Sequence, residues 1–112
     1  MNVNTETSGN SLVVALDGRV DSSNAAEFNA ALETATADSD LGVVLDCENL
    51  QYISSAGLRV ILTTAKSLQS SQRKFVICTL SNPIQDIFVI SGFDQIINIQ
   101  GSRAEALATM EA

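Results

Sequence analysis

The sequence predicts a single α/β domain built on a mixed, mostly parallel β-sheet. Short runs rich in β-branched residues alternate with stretches of helical periodicity, which is typical of parallel strands joined by crossover helices. The length of 112 residues suits one domain with its own core, so residues 1–112 are assigned to one unit. With 46% apolar and 17% charged residues, the composition is that of a folded globular chain.

The first part of the chain predicts a hairpin followed by a helix. Residues 11–17, SLVVALD, read as a strand, and residues 3–7 as a weaker edge strand that pairs with it in antiparallel fashion. Gly18 is expected to end the second strand. Residues 21–24, DSSN, offer several helix caps, and Asn24 with Glu27 has the spacing of a capping box for the first helix.

The rest of the chain continues to alternate between strands and helices. Apolar positions at i, i+3, i+4 and i+7 indicate a helix over residues 58–70. Another helix is expected to begin at Ser81-Asn82-Pro83, with proline near its first turn, and a last one at Ser102, which forms a capping box with Glu105. The strands of this part are predicted at 41–47, 74–80 and 95–99. The prediction is thus five strands and four helices, mostly with parallel pairing.

Charge and hydropathy exclude several classes of partner. Thirteen acidic residues against six basic ones give a net charge of −7, which argues against nucleic acid or an anionic membrane surface as a partner. No apolar run approaches the roughly 20 residues that a membrane-spanning helix needs. The polar start, MNVNTETSGN, lacks the basic and apolar regions of a signal peptide, so a cytoplasmic location is expected.

The reactive residue types exclude most catalytic and metal chemistry. Histidine is absent, which removes Ser-His-Asp and Cys-His catalysis and every histidine-based metal site. Cys47 and Cys78 each lie near the end of an apolar, β-branched run, so we interpret them as buried free thiols without a disulfide. No catalytic residue, cofactor or metal site is therefore predicted.

The segment LQYISSAGLR, residues 50–59, places two serines where a predicted strand gives way to a helix. In the simplest interpretation, Ser54 or Ser55 caps the helix and Gly57 allows a tight turn or a close approach of another chain segment. Catalysis finds little support, because no G-x-S-x-G pattern is present and SQRK at 71–74 is a weak S-x-x-K match. Phosphate binding also finds little support, because the sequence contains no glycine-rich phosphate-binding loop.

Modification is the remaining functional hypothesis for this junction. A phosphoryl group on an exposed serine there would add about 1.5 to 2 negative charges beside the positive end of the helix dipole. The helix would hold such a group rather than unfold, and a partner docking on the same surface would feel the added charge.

Three stretches together resemble the STAS domain family, and within it the stand-alone anti-sigma factor antagonists of bacteria. They are LDGRVDSSNAAEFNAAL at 16–32, VVLDCENLQYISSAGLRVIL at 43–62 and RKFVICTLSNPIQDIFVISGFDQIINI at 73–99. The resemblance covers nearly the whole chain and rests on the order and spacing of the stretches. It implies a STAS-like fold with four helices and N-terminal antiparallel strands.

The resemblance also implies a mode of action. Such an antagonist binds an anti-sigma factor that is a serine kinase of the histidine-kinase-like ATPase fold, is released when that kinase phosphorylates it, and is restored by a PP2C-type phosphatase. The serine that the family phosphorylates falls on Ser55, followed by the matching Gly57-Leu58. The position of the aspartate that commonly precedes this serine is occupied by Ser54. Whether Ser55, Ser54 or neither of them is the modified residue therefore stays open.

The resemblance further implies a partner surface. It comprises Asp21, Ser22, Ser23, Asn24, Ser54, Ser55, Ala56, Gly57 and Arg59. For residues 21–24 plain helix capping is the competing interpretation. Arg59 is interpreted either as a solvated charge or as a cation that pairs with a phosphate or with an acidic residue of the partner. Asp46, at the end of a predicted strand, is expected to orient the serine turn, to act as a local cap or to be solvated. Alternative functions are a STAS module of another assembly, such as a secretion or signalling regulator or a lipid-transport complex, or a nucleotide-binding STAS domain.

Overall fold

The computed structural model describes residues 1–37 and 39–111, and within them five strands and four α-helices in the predicted order. A 3₁₀ turn at Phe93–Gln95 precedes the last strand. The strands are β1 (Asn2–Ser8), β2 (Ser11–Val20), β3 (Gly42–Ile53), β4 (Phe75–Cys78) and β5 (Asn98–Gln100), and the helices are α1 (Ala25–Ala37), α2 (Ser55–Ser70), α3 (Asn82–Ile90) and α4 (Arg103–Glu111).

The sheet confirms the predicted fold class. Its strand order is β1-β2-β3-β4-β5, with β1 antiparallel to β2 and every other neighbouring pair parallel. Because the spatial order follows the chain order, successive right-handed crossovers place α1, α2 and α3 on the same face of the sheet. The opposite face is left for α4, which follows the last strand.

Two apolar clusters fill the space between the helices and the sheet. The larger one joins Phe28 of α1, Ile61 of α2 and Phe88 of α3 to the strands, and all three side chains are fully buried. The smaller one lies under α4 and contains Val13, Val44, Val76, Cys78, Ala106 and Met110.

β3 is longer than its sequence predicts. The polar pair Glu48-Asn49 favours an end near residue 47, yet the strand continues to Ile53 by pairing with β2. Two register shifts accommodate one extra β3 residue each, and Gly18 lies at the second shift with a φ of +103°. The expectation that Gly18 ends β2 was therefore wrong: β2 runs on to Val20, and the positive φ of Gly18 lets it pair with β3 across the bulge in that strand.

The other differences concern element ends and caps. β4 is shorter than predicted, and β5 begins at Asn98 because residues 93–95 form the 3₁₀ turn. The predicted cap of α4 is confirmed, as the Ser102 hydroxyl oxygen accepts from the Glu105 backbone N–H at 3.1 Å. In residues 1–37 and 39–111, no helix has the length and apolar character needed to cross a bilayer.

Candidate docking surface at the start of helix α2

The ends of β2 and β3 bring two loops together at one end of the sheet. Val20 and Ile53 are register partners, and each is the last residue of its strand. The Ser54 backbone N–H donates to the Val20 carbonyl oxygen at 2.9 Å, so the chain leaves β3 beside the point where it leaves β2. Residues 21–24 and the start of α2 therefore lie next to each other, as the resemblance implied.

Ser54 is the N-cap of α2. Its backbone is extended, with φ −86° and ψ 172°, and its hydroxyl oxygen accepts from the Gly57 N–H at 3.3 Å. Its carbonyl oxygen accepts the first helical hydrogen bond, from the Leu58 N–H at 2.9 Å. The expectation that one of the two serines caps the helix is confirmed, and the half-buried Ser54 hydroxyl is occupied by this role.

Ser55 differs from its neighbour in both position and exposure. It is the first residue of α2, its side chain is exposed, and no hydrogen-bond partner of its hydroxyl is found among the residues described. The N–H groups of the first helical turn lack intrahelical acceptors, and no acidic side chain in that turn compensates their partial positive charge. The Ser55 hydroxyl is thus accessible and lies at an electropositive helix end.

Gly57 fixes how closely α2 approaches the sheet. A Cβ at this position would lie 2.7 Å from Ile53 Cγ1 and 2.8 Å from Val20 Cγ1, which is well inside van der Waals contact. Its backbone is helical rather than left-handed, because Gly57 is not among the glycines with positive φ. Of the two roles proposed for this glycine, the close approach is confirmed and the tight turn is wrong.

Hydrogen bonds within residues 21–24 hold this segment in one conformation. Asp21 Oδ1 accepts from the Ser23 N–H at 2.9 Å and from the Ser23 hydroxyl at 2.5 Å. These bonds, the hydroxyl first, hold the pKa of the Asp21 carboxyl below its usual range. Ser22 and Ser23 are exposed, whereas Asp21 and Asn24 are partly covered. The segment therefore presents a fixed negative charge beside the start of α2.

The predicted capping box at the start of α1 was wrong. The Asn24 side-chain oxygen accepts from the Asp21 N–H at 2.9 Å, and its amide nitrogen donates to the Arg19 carbonyl oxygen at 2.9 Å. The amide of Asn24 therefore ties the loop back to the end of β2 and does not pair with Glu27. Its carbonyl still accepts from the Phe28 N–H at 2.9 Å and starts the helix.

Arg19 and Tyr52 form a contact that sequence reasoning missed. The guanidinium carbon of Arg19 lies 4.6 Å from the centre of the Tyr52 ring, a cation–π geometry. The two residues are register partners on β2 and β3, one position before the strand ends, and both are exposed. No signal in the sequence marks this pair, because only the shifted register brings the residues together.

Asp46 does not orient the serine turn. It lies in the middle of β3, almost fully buried, and accepts from Arg103 Nε of α4 at 2.8 Å and from the Glu48 N–H at 3.0 Å. Arg103 also contacts the carboxylate of Glu6 on β1. The carboxylate therefore anchors α4 to the sheet, and the expectations that it orients the turn or is solvated were wrong. Its bond to Glu48 leaves a local capping role.

The two cysteines are free and buried, as the sequence indicates. Cys47 belongs to the cluster that faces α1, α2 and α3, whereas Cys78 belongs to the cluster under α4, so they lie on opposite faces of the sheet. Burial raises the pKa of both thiols, which keeps them protonated and weakly nucleophilic.

Two clefts lie away from the start of α2. One, of about 350 Å³, lies between α1 and α2 and is lined mainly by polar side chains, among them Glu33 and Arg73. The other, of about 640 Å³, lies between β1 and α1 and is lined by small apolar and hydroxyl side chains. Over residues 1–37 and 39–111, no three His, Cys, Asp or Glu side chains are grouped so as to hold a metal ion.

Comparison with known proteins identifies relatives along nearly the whole chain. The sequence profile of the STAS domain family matches residues 2–106. BtrV of Bordetella bronchiseptica, provisionally named an anti-sigma factor antagonist, is 41% identical over 100 residues, which cover 89% of this chain and 86% of BtrV.

Solved structures share the fold at lower sequence identity. An anti-sigma factor antagonist from Thermotoga maritima, also provisionally named, superimposes with a TM-score of 0.90 at 17% identity, covering 98% of this chain and 95% of that one. The Bacillus protein SpoIIAA in its phosphorylated form gives a TM-score of 0.71 at 18% identity, covering 96% of this chain and 98% of that one. SpoIIAA is also known in an unphosphorylated form.

Proposed function

Since the chain belongs to the STAS domain family, we propose that it is an anti-sigma factor antagonist controlled by phosphorylation of Ser55. In its unmodified form the protein binds an anti-sigma factor through the surface formed by residues 21–24 and the start of α2. That partner is a serine kinase of the histidine-kinase-like ATPase fold, and a PP2C-type phosphatase reverses the modification in the cytoplasm. The protein itself serves as a binding module and as a substrate rather than as an enzyme.

The accessibility of Ser55 is the observation that carries this proposal. Ser55 is exposed at the first position of α2, whereas the hydroxyl of Ser54 is engaged by the Gly57 N–H. Phosphorylation joins Ser55 Oγ to the γ-phosphorus of ATP held by the kinase and breaks the bond to the β–γ bridging oxygen. ADP leaves, and the hydroxyl proton passes to a base of the kinase or to water.

The new charge acts on the partner, not on the fold. The phosphate carries about 1.5 to 2 negative charges at neutral pH and lies next to the N–H groups that open α2. Each unit of this charge repels a like unit charge on a docked partner about 5 Å away by about 3 kcal/mol, at an effective dielectric constant of 20. That energy corresponds to roughly a hundredfold loss of affinity.

Residues around Ser55 define the rest of the docking surface. The segment Asp21, Ser22, Ser23 and Asn24 is held rigid by its own hydrogen bonds, so it loses little conformational freedom on binding. The other contributors are Ser54, Ala56, Gly57 and Arg59, on or next to the first turns of α2. A rigid acidic loop beside an electropositive helix start is a surface that selects its partner by charge pattern.

Labelling with the cognate kinase and ATP tests the proposal. We expect the wild-type chain to take up one phosphate, which fragment-ion mass spectrometry should locate on Ser55. Ser55→Ala should remain unlabelled, and the matched control variant Ser54→Ala should be labelled fully. Ser55→Glu should bind the kinase more weakly than wild type, whereas Ser55→Ala should bind it normally. Equal labelling of Ser55→Ala and wild type, or wild-type affinity of Ser55→Glu, contradicts the proposal.

A further inference from the structure

Helix α2 has a charge composition opposite to that of the whole chain. Its sixteen residues, SAGLRVILTTAKSLQS, contain two cations and no carboxylate. The chain as a whole carries thirteen acids against six bases, for a net charge of −7. The positive end of the helix dipole adds to the same sign at the first turn. A phosphate on Ser55 is thus placed on the most electropositive helix of an acidic protein.

The structure assigns a role to four of the six basic side chains. Arg73 donates to the carbonyl oxygens of Leu41 and Thr36, and Arg103 pairs with two carboxylates. Arg19 stacks on a tyrosine ring, and Lys74 has an interaction of its own. The remaining two, Arg59 and Lys66, are exposed on α2, and neither side chain has a hydrogen bond or ion pair within residues 1–37 and 39–111.

Arg59 lies one helical turn after Ser55. Side chains at i and i+4 of a helix lie on the same face with their Cβ atoms about 5 to 6 Å apart. The order is also the favourable one, because an acidic group N-terminal to a basic group at this spacing agrees with the helix dipole. The other helical neighbours of Arg59 at three and four positions are Ala56, Leu62 and Thr63, so the unmodified helix offers it no carboxylate.

We propose that Arg59 is an internal clamp for the phosphoryl group on Ser55, an inference that rests on the proposed phosphorylation of that residue. In the unmodified protein the guanidinium is free to contact a docking partner. Once Ser55 is phosphorylated, Arg59 binds the phosphate oxygens through its planar N–H donors. The modification therefore changes the docking surface twice, since it adds a dianion and withdraws the exposed cation beside it.

Titration of the phosphate detects this clamp directly. Phosphoserine placed at position 55 by an expanded genetic code makes the experiment independent of any kinase, and ³¹P NMR follows the second pKa of the phosphate, ordinarily near 6. Arg59→Gln should raise that pKa by roughly 0.3 unit, the size expected of an exposed pair at i and i+4. Arg59→Lys keeps the charge but lacks the planar pair of donors, so it should recover only part of the shift, and 1 M salt should abolish the difference.

Lys66→Gln is the matched control. It removes the same charge from the same helix face, but at about 16 Å from Ser55 along the helix axis, beyond the screening length of about 10 Å at 0.1 M salt. The neighbouring charges Asp21 and Arg19 are unchanged in every variant, so the comparison isolates Arg59. Equal pKa values for the wild type, Arg59→Gln and Lys66→Gln would overturn the clamp. Failure of a kinase to label Ser55 would instead overturn the proposed function and leave this result unaffected.

Discussion

Substitution of Gly57 by alanine tests whether the start of α2 is fixed by its contact with the sheet. The added Cβ would lie 2.7 Å from Ile53 Cγ1 and 2.8 Å from Val20 Cγ1. Ordinary contact begins near 3.4 Å, so the helix or both side chains would have to move by more than half an ångström, estimated roughly from typical packing distances. Val20 and Ile53 are 0% and 2% exposed, so neither side chain relieves the overlap by turning into solvent.

Two opposing terms set the size of the effect. Alanine is the better helix former by about 1 kcal/mol, which favours the variant. Overpacking of a close-packed core costs about 1 to 3 kcal/mol. The overlap involves two buried side chains on different strands, so we take the upper part of that range and expect a net loss of about 1 to 2 kcal/mol in the free energy of unfolding.

Urea denaturation measures this loss, with Gly101→Ala as the control. At Gly101 the nearest atoms to a new Cβ belong to the exposed Glu105 side chain, at 3.5 to 4.0 Å, so no clash arises. The midpoint of Gly57→Ala should fall by roughly 0.5 to 1 M urea, and that of Gly101→Ala should stay close to the wild-type value. If both variants unfold at the same urea concentration, the close approach of α2 to the sheet does not restrict the size of the side chain at position 57.

The helix cap, the buried ion pair and the two thiols can each be tested by substitution or chemical labelling. Ser54→Ala should lower the free energy of unfolding by about 1 kcal/mol through loss of the cap, as measured in urea, and an unchanged midpoint would count against the capping role. Arg103→Met should cost about 3 kcal/mol because it strips the ion-pair partner from the buried aspartate of β3, whereas Glu6→Gln removes an exposed partner and should cost under about 1 kcal/mol; equal costs would contradict this reasoning. Cys47 and Cys78 should react with a thiol reagent only after unfolding, since burial raises both pKa values, and fast labelling of the native protein would show that one is accessible.

The order of elements was predictable because the signals that specify it are local. The β-branched runs of β2, β3 and β4 and the apolar spacing of α2 report which segments are buried on one or both sides. Capping chemistry is equally local, and the prediction for Ser102 was correct for that reason. Such patterns determine which segments form strands and helices, and in what order.

The errors arose where a residue depends on a distant neighbour. Glu48-Asn49 interrupts the apolar pattern of β3, but the strand continues because its backbone pairs with β2 through two bulges. Asp46 resembles a polar residue at a strand end, yet its partner is Arg103, at the other end of the chain. Neither partner is visible from residues close by in the sequence.

By itself, the sequence determined that a serine pair opens a helix whose only charges are Arg59 and Lys66, because helix capping and the i, i+4 spacing depend on residues within one or two turns. Tertiary structure alone decided what lies against Gly57 and that Arg19 stacks on Tyr52. These facts depend on the register between β2 and β3, which is set by packing of the whole core rather than by any one segment.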